Sequence, residues 1–325
     1  MRAVVCREFG GLETLCLSDL ADPKPAASEV LIKVTAAGLN FADLLMIKGE
    51  YQETPDLPFA PGLEIAGRIE RLGDDVQGLE EGQRVMATVG HGGFAELAVA
   101  KASDVVTLPD DVDDVTAAGF AIAYGTAYGS LQWATTLHAG ETLVVHGAAG
   151  GVGLATVECG KALGATVIAT ARGKDRLAVA SAHGADHVID TDADDVRKRV
   201  KELTEGRGAD VVFDPIGGDL FEASLRSIAW GGRLLVIGFA GGRVQQIPAN
   251  ILLVKNVSAV GFYWGSYRTH DPDRVRLGFE TLLGWASEKR IRPHVSMSVG
   301  LDRFAEALSA LKARKATGKI VLTIP

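Results

Sequence analysis

Residues Glu141 to Gly153 read ETLVVHGAAGGVG, and the fold turns on this stretch. Thr142 to His146 is a short, mostly apolar run of the kind that forms a fully buried strand. It passes directly into Gly147-Ala148-Ala149-Gly150-Gly151-Val152-Gly153, and a helical pattern follows with Leu154, Val157, Ala162 and Leu163 on one side. Strand, glycine turn and helix in that order open a dinucleotide-binding unit. The glycines permit the tight turn and bring backbone N–H groups to a pyrophosphate at a helix N-terminus. Ala149, Gly150, Gly151, Val152 and Gly153 are therefore the expected phosphate contacts. Ala148 departs from the pattern, because the first glycine of G-x-G-x-x-G usually stands there.

The residues downstream supply the context that a glycine turn needs. Strand candidates at 166–171, 186–190, 210–213, 233–239 and 257–262 alternate with helical patterns at 175–183, 194–203 and 220–230. Such alternation implies right-handed βαβ crossovers and a doubly wound parallel sheet. A helix is expected over 115–131, bent near Tyr124-Gly125. Cofactor choice is read after the second strand, where an NAD site wants an acid about 20 residues past the glycines. Here the chain reads Thr170-Ala171-Arg172-Gly173-Lys174, with no acid before Asp175. Arg172 can grip a 2′-phosphate through its planar fork and Lys174 can meet it as a point charge, so NADPH is the expected cofactor. The loops at 214–218 and 238–241 end the fourth and fifth strands, where such sheets bind ligands.

At 325 residues the chain suffices for two ordinary domains. A hydrophobic content of 47% and a charged content of 23% are those of a globular protein. The net charge of −8 argues against a general nucleic-acid binder. Cys6, Cys16 and Cys159 form neither a CxxC pair nor a disulfide framework, which favours a reducing compartment. The opening MRAVVCREFG has no apolar core of signal-peptide length, and no apolar run approaches the ~18 residues of a membrane span. A cytoplasmic location away from membranes is expected.

The first third has a different texture. Short strand candidates at 1–6, 30–34, 64–72, 83–89 and 93–100 are punctuated by glycines and prolines, including the loop with Pro55, Pro58 and Pro61. This indicates an irregular β-rich domain, ending near Leu108-Pro109. Asn40 suits the N-cap of a helix over 41–48, so a capping role and an active-site role both stand. Asp43 is a first-turn acid favoured by the helix dipole. Tyr51 lies on the proline-rich loop, where its phenol would either line a pocket or pack the loop down.

The motifs AAGLNFAD, KGEY, GLEIAG, GQRV, GTAY, GAAGGVG and TGKIVL, in that order, span nearly the whole chain. Their sequence resembles the zinc-free quinone oxidoreductase (zeta-crystallin-like) branch of the medium-chain dehydrogenase/reductase superfamily. The resemblance implies an α/β fold in which a β-rich, GroES-like catalytic domain (1–117 and 265–325) flanks a doubly wound Rossmann domain (118–264), with the active site in the cleft between. Zinc-dependent relatives carry a cysteine where this chain has Asn40, and Gly-His-Glu where it has Gly62-Leu63-Glu64. Those substitutions remove the ligand set of a catalytic zinc, so no metal is expected.

By the same resemblance Asn40, Tyr51 and Thr126 shape the site and polarise the acceptor. Thr126 lies near the nicotinamide, and Gly238, Phe239 and Ala240 flank it. Phe262, Trp264 and Lys319 complete the expected cofactor contacts; a lysine starting a surface strand is otherwise unremarkable. Tyr128 and Tyr263 are secondary pocket candidates, and Glu64 would order its neighbours. The implied activity is NADPH-dependent reduction of a quinone by a homodimer. Reduction of an activated alkene, such as an enone or enoyl thioester, and a non-catalytic NADPH-binding role are the alternatives.

Overall fold

The computed structural model describes residues 1–325. Its elements are, in order, β1 (Arg2–Cys6), β2 (Leu15–Asp19), β3 (Glu29–Gly38), α1 (Phe41–Ile47), β4 (Glu64–Leu72), β5 (Arg84–Thr88), β6 (Leu97–Lys101), β7 (Val105–Thr107), α2 (Asp114–Ala118) and α3 (Ala121–Gly129). Then come β8 (Thr142–His146), α4 (Gly151–Ala162), β9 (Thr166–Ala171), α5 (Lys174–Ala182), β10 (His187–Asp190), α6 (Val196–Leu203), β11 (Ala209–Asp214), α7 (Asp219–Ser227) and β12 (Ile228–Val236). The chain closes with α8 (Ala249–Lys255), β13 (Ser258–Gly261), α9 (Trp264–His270), α10 (Pro272–Ser287), β14 (Val295–Gly300), α11 (Phe304–Lys312) and β15 (Lys319–Thr323). Two units result: residues 1–122, 268–283 and 293–325 form the first, and 123–267 with 284–292 form the second. The segment 284–292 thus belongs with the second unit.

In the first unit a seven-stranded sheet runs β14-β15-β3-β4-β5-β7, with β6 also paired to β3. β3 is its centre, and nearly every residue from Val30 to Gly38 is buried. Breaks in register at Leu31/Ile32 and Val34/Ala36 curl it against β4, as bulges do. Ile32, Ile65, Phe94 and Leu322 are among the side chains packed in the curl. β15 pairs antiparallel with the end of β3, and the Leu39 N–H donates to the Ile320 carbonyl at 2.9 Å. That pairing carries Lys319 to the first residues of α1.

The second unit is a six-stranded, all-parallel sheet in the order β10-β9-β8-β11-β12-β13. Burial of β8 is complete, as its apolar run requires. His146 ends β8 with its imidazole between the Thr170 and Ser224 hydroxyls at 2.8 and 2.6 Å; burial pushes its pKa down, so the ring is neutral.

Three expectations are corrected. The break in the helical stretch falls at Gly119-Phe120, not at Tyr124-Gly125. A Cβ at Gly119 would stand 3.1 Å from the Lys319 side chain, whereas Gly125 lies inside α3 with the Trp264 indole packed on it, 2.6 Å from where a Cβ would be. The expected helix 220–230 ends at Ser227, since Ile228 already pairs with Ala209 in the sheet. The strand expected over 233–239 instead begins at Ile228 and ends at Val236, so Phe239 lies in a loop beyond β12. β2, β7 and β14, together with α8 and α9, are elements that hydrophobic pattern did not mark.

Candidate active site

In the second unit the cradle is built by backbone. Gly147 takes φ +61° at the end of β8, and Gly150 caps α4. The first intrahelical bond runs from the Leu154 N–H to the Gly150 carbonyl, leaving the N–H groups of Gly151, Val152 and Gly153 without helical acceptors. A Cβ at Gly153 would lie 2.2 Å from the Gly147 carbonyl oxygen, so only glycine lets the helix sit this close to the turn. Ala148 occupies the variant position without strain: it is buried, and its N–H donates to the Thr170 carbonyl at 3.0 Å. Ala149 is buried beside Ala171 and Leu177.

Two further loops meet this turn at the carboxyl ends of β11 and β12. Asp214 is buried, and its Oδ1 accepts from the N–H groups of Ile216 and Gly217, both at 2.8 Å. The Ala240 N–H donates to the Pro215 carbonyl, and the Gly241 N–H to that of Ile216. The Ile216 side chain reaches to 3.0 Å from where a Gly147 Cβ would be. Gly238, Phe239 and Ala240 are thereby held beside the glycine turn, with the Phe239 ring 42% exposed. The strand order reverses between β8 and β11, the switch point at which open α/β sheets bind ligands.

Arg172 and Lys174 flank Gly173 after β9, both exposed. Gly173 takes φ +76°, a conformation strained for any other residue. The sequence had no acid here, but the fold brings two. Asp190 accepts from the Gly173 N–H, which with the Asp192 N–H holds its carboxyl below the usual range. Asp192 faces the Arg172 guanidinium at 3.6 Å, with both side chains about two-thirds exposed. An exposed pair of this kind contributes only ~0–1 kcal/mol.

Thr126 is half-buried on α3. Phe262 and Trp264, expected against the cofactor, are 5% and 4% exposed. Trp264 lies against Gly125, while Phe262 packs with Gly129, Trp133 and Tyr267. These contacts make both rings part of the packing around α3. Tyr128 joins the same cluster, edge-on to Trp133 and Trp285, while Tyr263 is exposed.

In the first unit, Asn40 is the N-cap of α1, and the Asp43 carboxylate accepts from its backbone N–H at 2.7 Å. Its side-chain amide is engaged elsewhere. Nδ2 donates to Glu64 Oε1 at 2.9 Å, and Oδ1 accepts from Lys319 Nζ at 2.7 Å. The Lys319 ammonium also donates to the Leu39 carbonyl at 2.6 Å and to Glu64 Oε1 at 2.7 Å. Glu64 Oε2 accepts from the Ile122 N–H at 2.8 Å. Glu64 is fully buried and Lys319 is 6% exposed, so Lys319 is no surface lysine. Burial pushes the Asp43 carboxyl up to about 7, against the pull of the Asn40 N–H and the Lys319 charge. Tyr51 is half-buried and packs against the core of this unit, which ties its loop down.

The Glu64–Lys319 pairing was the feature sequence reasoning missed. Glu64 was expected only to order its neighbours, and 254 residues separate it from the lysine that β15 returns to it. A buried acid in GLEIAG and a lysine opening an apolar strand were the available signals.

The cradle at a β8/β11 switch point defines a dinucleotide-dependent α/β oxidoreductase. Comparison with known proteins narrows this. Residues 26–110 match the alcohol dehydrogenase GroES-like domain and 151–278 the zinc-binding dehydrogenase family. A quinone oxidoreductase-like protein 2 homolog of Nematostella vectensis is 41% identical, covering 99% of this chain and 88% of that protein. A mycobacterial protein solved in complex with NADPH superposes with a TM-score of 0.93 at 32% identity, over 99% of this chain and all of its own. Escherichia coli quinone oxidoreductase, also complexed with NADPH, gives 0.92 at 27% identity over 99% of this chain and all of its own. The chain belongs to the zinc-free quinone oxidoreductase branch of the medium-chain dehydrogenase/reductase superfamily, and it is an oxidoreductase. The zinc in the wider family's description has no counterpart in the donor set: Glu64 is paired with an ammonium, and Cys159, the one cysteine within 151–278, is buried in α4. No helix is long and apolar enough to cross a membrane.

Proposed function

We propose that this chain reduces quinones with NADPH and without a metal. The Glu64–Lys319 ion pair beside Asn40 carries the reading. Alkoxide chemistry in this superfamily's zinc enzymes relies on a Lewis acid, whereas here a buried carboxylate is already neutralised by an ammonium. A quinone needs no such acid, because its carbonyls are electrophilic at the outset.

The glycine cradle fits a dinucleotide. Gly151, Val152 and Gly153 offer their N–H groups to the pyrophosphate, Arg172 and Lys174 take the 2′-phosphate, and Gly238 to Ala240 bound the nicotinamide end with Thr126. NADPH, when bound, supplies a hydride, which with one proton converts a quinone to its hydroquinone. Asn40 donates from its amide to the acceptor oxygen, stabilising the charge that develops there. Tyr51 shapes the acceptor side of the site. The NADPH complexes of the two structural relatives support this cofactor, and the names of the curated relatives support the acceptor class. A cytoplasmic homodimer joined through the free edge of β13 completes the reading, since that edge has a neighbour only in β12.

NADPH oxidation with a panel of quinones, enones and enoyl thioesters tests it. Quinones are expected to give the highest kcat/KM. An enoyl thioester exceeding them would assign the chain to alkene reduction, and tight NADPH binding with no turnover on any acceptor would make it a binding protein.

A further inference from the structure

Lysine has three ammonium protons and no acceptor. Those of Lys319 go to the Leu39 carbonyl, Asn40 Oδ1 and Glu64 Oε1 at 2.6–2.7 Å. All three are thus engaged within this unit. The partner that matters is Asn40. An amide can face a neighbour with its oxygen or its nitrogen, and an ammonium tolerates only the oxygen. Turning the Asn40 amide over would set its NH2 against the ammonium and its oxygen against the Glu64 carboxylate, losing hydrogen bonds on both sides. With Oδ1 on Lys319, one Nδ2 proton goes to Glu64 Oε1 at 2.9 Å; the other has only the Gly38 carbonyl, at 3.5 Å. That proton is the donor left for a ligand, on a residue that is half-buried rather than sealed. Gly38 makes room for the arrangement: a Cβ there would stand 2.7 Å from Glu64 Oε1 and 2.1 Å from the Ala118 carbonyl oxygen.

We propose that Lys319 is a positioning residue that locks the Asn40 amide in one orientation, so that its second N–H, held only by the long contact to the Gly38 carbonyl, faces the oxygen of the acceptor. The inference rests on the quinone-reductase reading for its consequence, and on geometry alone for the lock.

The two are separable experimentally, because the chain has only three asparagines, Asn40, Asn250 and Asn256. Protein labelled with ¹⁵N-asparagine should show three side-chain NH2 pairs, that of Asn40 being the one absent from Asn40→Ala. In the wild type the Asn40 pair should exchange slowly with solvent. In Lys319→Met, and in Lys319→Met/Glu64→Gln, which leaves no buried unpaired carboxylate, exchange should quicken by about tenfold or more as a charge-assisted bond is lost. With 1,4-benzoquinone kcat should fall on the order of 100-fold, the scale of a misplaced reacting group. The Kd for NADPH should hold, and adding Asn40→Ala to Lys319→Met should cost little more, as coupled residues behave. Unchanged exchange in both variants would overturn the lock, as would a weakened NADPH Kd with kcat intact. Absence of quinone turnover by the wild type would remove the catalytic consequence alone, since the exchange rates still decide the lock.

Discussion

Single side chains carry the sharpest consequences. Asp43 is fully buried, and its carboxyl titrates at about 7 against an ordinary value of 3.8. The folded state therefore holds this proton more tightly than the unfolded state does. Its contribution to stability is complete below about 4 and is lost as pH rises toward 7, at up to about 1.4 kcal/mol per pH unit. Asp43→Asn should remove that loss, so urea unfolding of the variant relative to the wild type should improve between pH 5 and pH 8. An unchanged difference would mean that Asp43 ionises freely in the fold. Glu64 and Lys319 are the other charges facing it, and ionised Asp43 leaves the cluster with a net negative charge beside Asn40. Arg172 and Lys174 act at the other end of the reading. Arg172→Ala/Lys174→Ala should weaken NADPH by about tenfold or more, the value of a charge-assisted contact, and leave NADH unaffected. Calorimetry with both nucleotides checks this, and equal losses for the two would mean that neither residue reads the 2′-phosphate.

At the scale of elements, the strand–turn–helix of β8 and α4 depends on one close approach. Gly153→Ala places a methyl 2.2 Å from the Gly147 carbonyl oxygen, so helix and turn must part. The variant should unfold at a lower temperature and lose most of its NADPH affinity, measured by thermal melts with and without nucleotide. A full ligand-induced rise in Tm would show that the cradle tolerates the shift. This element was the most legible in the sequence, because glycine spacing, a buried apolar strand and the βα alternation after it are all local signals. β8, β9 and β4 fall at the residues expected, each being a buried or amphipathic run with clear turn residues on either side. β2 and β7 were not marked, since a five-residue ribbon strand and a three-residue edge strand carry too little pattern. The helix break falls at Gly119 rather than Gly125, and the side chains that pack on these two glycines, Lys319 and Trp264, are both distant in sequence.

For the whole molecule, order along the chain conveyed the fold class, and the pairing of distant segments stayed hidden. Asn40 was identified as a site residue, yet its amide is oriented by Lys319, which only the return of β15 beside β3 brings to it. The acids that face Arg172 and Gly173 were hidden in the same way, arriving from β10 and the turn after it. Phe262 and Trp264 are expected at the cofactor by the resemblance alone, and their packing against α3 is likewise a contact that only the fold reveals. What the two units share in the proposal is a division of labour. The parallel sheet offers backbone N–H groups and basic side chains to NADPH, and the GroES-like unit offers an amide donor held by a buried ion pair in place of a metal. The most direct test of that claim is the steady-state rate of NADPH oxidation with 1,4-benzoquinone by protein exhaustively treated with a chelator. The account predicts full turnover after treatment, unaffected by added zinc. Activity that disappears with the chelator and returns only with zinc would contradict it.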